Sequence, residues 1–212
     1  FDGRGRAAAA RIADVARGDV TVDVQTVRPA EPEPRPALRL AFAVPKGKRL
    51  DWLLEKATEL GAARLAPVRF ARSVAGGETL SSAARRRWEA RCISAAKQAG
   101  RTHLPAIEPP AALDEALAAG AAPGIFGDTL PAAAPLAAAL AATSPAAGLE
   151  AFHIYVGPEG GLTESERARL VAAGLARVRL GRTVLRTETA AVALLAVTSA
   201  WRDGGSWPTA AE

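Results

Sequence analysis

The sequence predicts an α/β domain with a mainly parallel sheet, on three observations. Beyond residue 37, short apolar strand patterns alternate with helical ones. The helical stretches carry their own start and stop residues, and the proline-spaced segment "RPAEPEPRPA" (28–37) sets this region apart from a two-strand pattern in front of it.

In chain order, residues 7–15 and 19–27 predict two strands joined at "RGD", the second alternating Val20, Val22 and Val24. Two strands alone are not a stable domain. With Phe rather than Met in first position, the expectation is that residues 1–35 are the C-terminal remnant of a small β domain whose earlier strands are absent, and that 36–212 are the main domain. "LRLAFAV" (38–44) predicts a buried strand. "KRLDWLLEKATELG" predicts a helix with Leu50, Leu53, Leu54, Ala57 and Leu60 on one face and Gly61 as its stop. Asp51, Glu55 and Glu59 recur at i, i+4 on that helix, the spacing of a solvent-facing stripe. "RLAPVRF" predicts a strand, and residues 82–99 a helix capped by Ser81 or Ser82 and ended at Gly100. The Ala- and Pro-rich stretch 111–151 carries one strand pattern, "GIFGD" (124–128). "FHIYV" is a strand, "TESERARLVAAG" a helix with a capping box from Thr163 to Glu166, "ARVRLG" a strand, and "TETAAVALLAVTSAWRD" a helix capped by Thr187.

Composition narrows the class. Apolar residues make up 49 %, but no run reaches membrane-spanning length. One cysteine, Cys92, excludes an internal disulfide, and with two histidines it gives no metal-ligand cluster; a reducing, cytoplasmic setting follows as the default. The net charge of +5 is uneven: Arg64 to His103 holds nine basic residues against two acids, leaving the rest of the chain net negative. Such a block is either the footprint of a polyanion such as RNA or a solvated helix surface.

In parallel sheets ligands bind beyond the carboxyl ends of strands, which directs attention to two loops. "GPEGG" (157–161) removes three side chains, so that backbone can approach a ligand or take positive φ. It is neither a Rossmann nor a phosphate loop, and Glu159 would repel a phosphate. It suits a cationic or neutral adenine-containing cofactor, or else is a tight turn into a capped helix. The second loop is "LGRTVLRTETAA" (180–191). Thr187 and Glu188 suit a helix N-terminus in any protein, but Arg186 at the positive end of an apolar helix calls for an anionic partner.

"PKGKRLDWLLEKATELGA" (45–62), "AAKQAGR" (95–101), "VGPEGGLTESE" (156–166) and "LGRTVLRTETAA" (180–191), in this order and spacing, resemble the SPOUT-class methyltransferases of the RsmE type, which methylate N3 of a uridine in small-subunit (16S) ribosomal RNA. "FDGRG" and the hairpin after it resemble the end of that family's N-terminal PUA-like β-barrel. The resemblance covers essentially the whole chain. It implies a SPOUT domain with a deep trefoil knot within about 124–201, a homodimer, and S-adenosyl-L-methionine held in the knot without a metal. By matched position it implies cofactor contacts at Gly157, Pro158, Glu159, Gly160, Gly161, Leu180, Gly181, Leu185, Thr187 and Thr189. In the implied reaction Arg186 stabilises charge on a uracil oxygen, and Glu188 is a base or orienting group. Arg72, Lys97, Gln98 and Arg101, beside strand and helix ends of the basic segment, are the expected contacts to 16S ribosomal RNA or the small subunit. Trp52 and Trp88 are expected in core or dimer packing, and His103 and His153 in structural roles. Two other readings share these features: a SPOUT methyltransferase acting on another RNA atom, such as a ribose 2′-oxygen, and a non-catalytic RNA-binding assembly factor.

Overall fold

The computed structural model describes residues 1–75, 79–118, 123–143 and 148–204. Strands β1 (Ala8–Ala16) and β2 (Asp19–Val27) form an antiparallel hairpin of their own. Its tip is Arg17 and Gly18, both at positive φ, the pattern of a two-residue turn whose twist matches the strands. Every residue of both strands is exposed, including Ile12, Val15, Val20 and Val22. Residues 28–36 form neither helix nor strand, as their prolines predict. The segment before the hairpin is tied to the main domain by backbone bonds from Gly5 N to Thr102 O (3.2 Å) and Leu104 N to Gly3 O (3.0 Å).

The main domain is a parallel sheet. Its elements are β3 (Ala37–Phe42), α1 (Lys48–Glu59), β4 (Ala62–Arg69), α2 (Ser82–Ala99), β5 (Ala106–Ile107), β6 (Ala111–Ala112), α3 (Leu113–Ala118), β7 (Gly124–Gly127), β8 (Ala134–Pro135), α4 (Leu136–Ala141), β9 (Ala151–Val156), α5 (Glu164–Ala172), β10 (Leu175–Arg179) and α6 (Thr187–Asp203). The strands run in the order β5-β4-β3-β9-β7-β10-β8, with β6 also paired to β4, and each pairing is parallel. Sequence-expected strands and helices are all present, with ends shifted by no more than two residues. The stretch 111–151 holds more than its one expected strand: two further strands of two residues and two helices of six lie among its described residues. Gly61, Gly100 and Gly174 follow α1, α2 and α5 at positive φ, where a side chain would strain the stop.

The central strands are buried on both faces, so alternate residues feed two cores. Leu38, Leu40, Phe42, Phe152, Ile154 and Val156 pack with α1, α2 and α6 residues such as Leu53, Leu54, Trp88 and Leu195. Ala41, Phe126 and Tyr155 pack on the other face with Leu113 and Leu170. Trp88 therefore takes its expected core place, whereas Trp52 is 41 % exposed.

The second face also holds a buried polar group. Arg39 donates to both carboxylate oxygens of Glu108 (2.7–3.2 Å) and to the Tyr155 hydroxyl (3.1 Å), which itself donates to Ala116 O (3.0 Å). His153, opposite Arg39 in the ladder and 7 % exposed, is held down to a pKa of about 4, first by burial and then by the Arg39 guanidinium. Its folded pKa lies below the ordinary value of 6.5, so between pH 6.5 and 4 the unfolded chain binds the proton and the folded chain does not. Stability is lost as pH falls through that window, by up to about 3 kcal/mol from this residue. Urea denaturation at intervals from pH 7 to 4 should show a shallower decline for His153→Gln than for the wild type. Parallel declines would show that His153 does not titrate on unfolding.

Candidate functional site

Strands β9, β7 and β10 are neighbours and parallel, so the segments that leave their carboxyl ends meet. They enclose a cavity of about 400 Å³ lined by Gly127–Thr129, Val156–Leu162 and Val178–Leu185, by Thr187, Ala190 and Leu194 of α6, and by Arg72 and Arg167. This volume is that of a small-molecule or cofactor pocket.

Side chains fix the shape of the glycine loop. Thr187 Oγ1 donates to Gly157 O (3.2 Å), joining the start of α6 to the turn after β9. The Thr187 hydroxyl is therefore not the helix cap the sequence predicts: Arg186 occupies the N-cap position and makes no side-chain capping bond. Thr163 does cap α5, in a full capping box with Glu166. Glu166 is 1 % exposed and reaches further, accepting from Ala71 N (2.6 Å) as well as from Thr163 N (2.7 Å). Burial pushes its carboxyl pKa up, but the Thr163 and Ala71 N–H groups and the Thr163 hydroxyl outweigh that and hold it below the usual value. Arg72, in the loop after β4, donates to Gly160 O (2.9 Å), and a Cβ at Gly160 would stand 3.0 Å from Arg72 Cβ. A side chain here would press on Arg72, and at Gly161 the φ of +72° favours glycine.

The carboxylates of the cavity are already engaged. Glu159 pairs with Arg49 of α1 at 3.3 Å. Asp128, its side chain 3 % exposed, accepts from Thr129 N (2.8 Å) and Arg167 Nε (3.0 Å) and lies 3.5 Å from Arg177 Nε. Arg72, Arg167, Arg179 and Arg182 line the cavity as cations. The site offers backbone groups, apolar walls from Val156, Leu162 and Leu185, and two acids that are already paired, the mixed lining of a small-molecule or cofactor pocket.

Of the residues singled out in the sequence, the structure brings Gly157, Pro158, Glu159, Gly160, Gly161, Leu180, Gly181, Leu185, Thr187 and Arg72 together in the cavity wall. Arg186, Glu188 and Thr189 are outside the lining. Arg186 at the N-cap and Thr189 on the first turn of α6 are exposed; Glu188 is 7 % exposed, and its Oε2 has no hydrogen-bond partner among the described residues. Lys97 and Gln98 lie on the exposed face of α2, and Arg101 packs over Gly61 beside Arg202. Burial and the Arg202 guanidinium lower the pKa of Arg101. Glu78, one of the two acids of the basic segment, is outside the described residues. Asp128, Arg167 and Arg182 were not singled out. The strand-end rule would have found Asp128 had the position of β7 between β9 and β10 been known. Among the described residues no group of three or more His, Cys, Asp or Glu could hold a metal ion, and no helix is long and apolar enough to cross a membrane.

Residues 31–199 match the RNA methyltransferase domain family. The chain is 36 % identical to the ribosomal RNA small subunit methyltransferase E of Mycobacterium bovis, over 94 % of this chain and 78 % of that protein. It is 31 % identical to the protein of the same name from Bacillus subtilis, over 76 % of this chain and 64 % of the relative. Among solved structures, the ribosomal RNA small subunit methyltransferase E of Neisseria gonorrhoeae bound to S-adenosyl methionine superposes with a TM-score of 0.79 at 31 % identity, covering 93 % of this chain and 80 % of that one. A Legionella pneumophila protein in complex with the same cofactor gives 0.80 at 26 % identity, covering 97 % and 81 %.

Because Glu166 ties the glycine-loop side of the cavity to the loop after β4, Glu166→Gln should cost about 2 kcal/mol at pH 7 by leaving one buried N–H without an acceptor. The folded carboxyl titrates below its unfolded value, so this stabilisation is present above the ordinary carboxylate range and lost as pH falls through the lowered one. Chemical denaturation should show the gap between wild type and variant closing as pH falls below the ordinary carboxylate range. A gap that stays constant would rule out the ionised carboxylate as the tie.

Proposed function

The chain belongs to the family of ribosomal RNA small subunit methyltransferase E enzymes, and from that premise we propose that it transfers the methyl group of S-adenosyl-L-methionine to N3 of a uridine in 16S ribosomal RNA. The observation that carries the reading is the cavity formed where "GPEGG" and "LGRTVL" meet, in a fold shared with cofactor-bound relatives. The residues present fit this cofactor. Glycines at 157, 160 and 161 leave room for close backbone approach, and the two acids of the wall are already paired.

When bound, the cofactor supplies an electrophilic methyl group on a sulfonium. In our reading the backbone of 157–161 and of 180–185 holds its adenosine, and Thr187 keeps the two loops in register through Gly157 O. Arg49 draws the Glu159 carboxylate toward α1. The N3 imide of uracil is a weak nucleophile while protonated, so a cation near its oxygens and an acceptor for its proton both help. Arg186, exposed and without an ion-pair partner among the described residues, provides the cation. Glu188 has a buried oxygen with no donor, and it accepts or orients the proton. The family resemblance further supports a knot within about 124–201, a homodimer, and residues 1–35 as part of a PUA-like RNA-docking unit, with 36–212 as the catalytic domain. The separate hairpin with its exposed valines fits that last assignment. Arg72, Lys97, Gln98 and Arg101 complete the proposed RNA contacts.

Incubation with labelled cofactor and small subunits lacking the modification, followed by nucleoside mass spectrometry, should place the label on N3-methyluridine; label on a ribose or another base would overturn the assignment. Arg186→Ala should lower kcat about 10²- to 10³-fold while calorimetry shows unchanged cofactor affinity. A wild-type rate for that variant would remove Arg186 from the chemistry.

A further inference from the structure

A second depression of about 380 Å³ lies between α1 and α2. Glu55, Lys56 and Glu59 form one wall, Arg91, Ser94 and Gln98 the other, and buried Ala95 the floor. On α2 these positions recur at three and four residues, so they share one face, and the small side chain of Ala95 keeps the groove open. The acidic stripe expected to face solvent on α1 instead faces α2 across this groove. Asp51 pairs there with Arg87 (3.3 Å) and Arg91 (3.8 Å).

Charge decides what the groove can hold. Lys56 Nζ is already bound by Glu59 (2.8 and 3.0 Å) and Glu55 (2.9 Å). A phosphate entering here would meet two carboxylates, a lysine whose donors are in use, and Arg91, which is shared with Asp51 at 3.8 Å. The uncharged polar groups left without a partner among the described residues are the Gln98 amide and the Ser94 hydroxyl, which share the lining with Glu55. These are neutral donors and acceptors beside an acceptor, matching the hydrogen-bonding edge of an unpaired base or a 2′-hydroxyl. Lys97, exposed, adjoining Gln98 and likewise without an ion pair, is placed for the neighbouring phosphate. Along α1, at 1.5 Å per residue, the groove spans roughly 9 to 15 Å from Arg49, whose guanidinium touches Glu159 of the cofactor loop. A single strand with its target base at the cavity can thus lay a nearby nucleotide between the helices.

We propose that the α1–α2 groove is a second RNA subsite, which binds one unpaired nucleotide close to the methylated uridine by its base edge and ribose rather than by its phosphate. The proposal rests on the RNA-methyltransferase reading above. It is tested by measuring the affinity of the full chain for a 16S ribosomal RNA transcript and for unmodified small subunits over a range of salt concentrations, with cofactor affinity measured by calorimetry on the same preparations. Ser94→Leu, which plugs the groove from an exposed position, and Gln98→Leu, which removes its amide, should each weaken RNA binding about fivefold to tenfold. The slope of log affinity against log salt and the cofactor affinity should be unchanged. Lys97→Ala should instead reduce that slope by about one. Wild-type RNA affinity in both leucine variants would overturn the subsite, and so would a loss accompanied by a slope reduced by about one, because the groove would then contact phosphate. Should Ser94→Leu lose cofactor affinity, Gln98→Leu decides alone. If the wild type itself binds neither RNA probe, the RNA reading falls and the subsite falls with it, a result separate from any difference between variants.

Discussion

The cavity exists because β9, β7 and β10 run parallel and end side by side. Their ladders place Gly124 against His153 and Leu175 against Gly124, so three loops far apart in sequence leave the sheet at one edge. The pairing imposes a steric demand at its start: a Cβ on Gly124 would lie 2.2 Å from His153 O and 2.8 Å from the Leu175 side chain. A residue with a side chain would push β7 away from β9, and the loops at the far end would part with it. Beyond the ladder the loops are held by single polar ties, Thr187 to Gly157, Arg72 to Gly160 and Glu166 to Ala71. The cavity wall keeps bare backbone at its five glycines, 127, 157, 160, 161 and 181.

Both acids of the cavity wall are engaged by arginines. Asp128 is nearly sealed and faces two guanidiniums, and Glu159 is turned toward Arg49. The two pairs differ in kind. The Asp128–Arg167 pair is buried, and loss of one partner would strand the other in a region of low dielectric. The Arg49–Glu159 pair is more than a third exposed on both sides, so it contributes little to stability. Its consequence is positional, because it joins the first turn of α1 to the loop whose glycines form the cavity wall. The acid that argues against phosphate in the sequence is thus also the contact between the cofactor loop and the helix layer.

What could be read in advance follows the range of the interactions. The helices α1, α2, α5 and α6 and the strands around them were legible because periodicity, capping residues and glycine stops act within a few positions. The capping box at Thr163 and the left-handed Gly100 are of this kind. The two loops of the cavity were legible by the strand-end rule and by resemblance. Strand order was not, since no local pattern places β7 between two strands that follow it, and Asp128 was missed for that reason. The role of Thr187 was misread because a helix-start threonine looks like a cap from its neighbours alone, whereas its hydroxyl is directed to Gly157, thirty residues earlier. Local spacing made Asp51, Glu55 and Glu59 a solvent stripe; the α2 arginines that meet Asp51 lie more than thirty residues away. Arg101 reads as a surface cation, but the bare backbone of Gly61 lets it fold down beside Arg202.

Helix α1 joins these facts. Its buried face, Leu50, Leu53, Leu54 and Ala57, anchors it to the sheet. Its first turn reaches the cofactor loop through Arg49, and its exposed edge carries the acids that meet α2. A helix twelve residues long, about 18 Å, is stiff on this scale and has no proline to kink it. Cavity and groove therefore sit at a fixed spacing, set by the same apolar contacts that fold the domain. A shift of α1 against the sheet would disturb Glu159 and the groove together, and the leucines that prevent such a shift also keep the two surfaces in register.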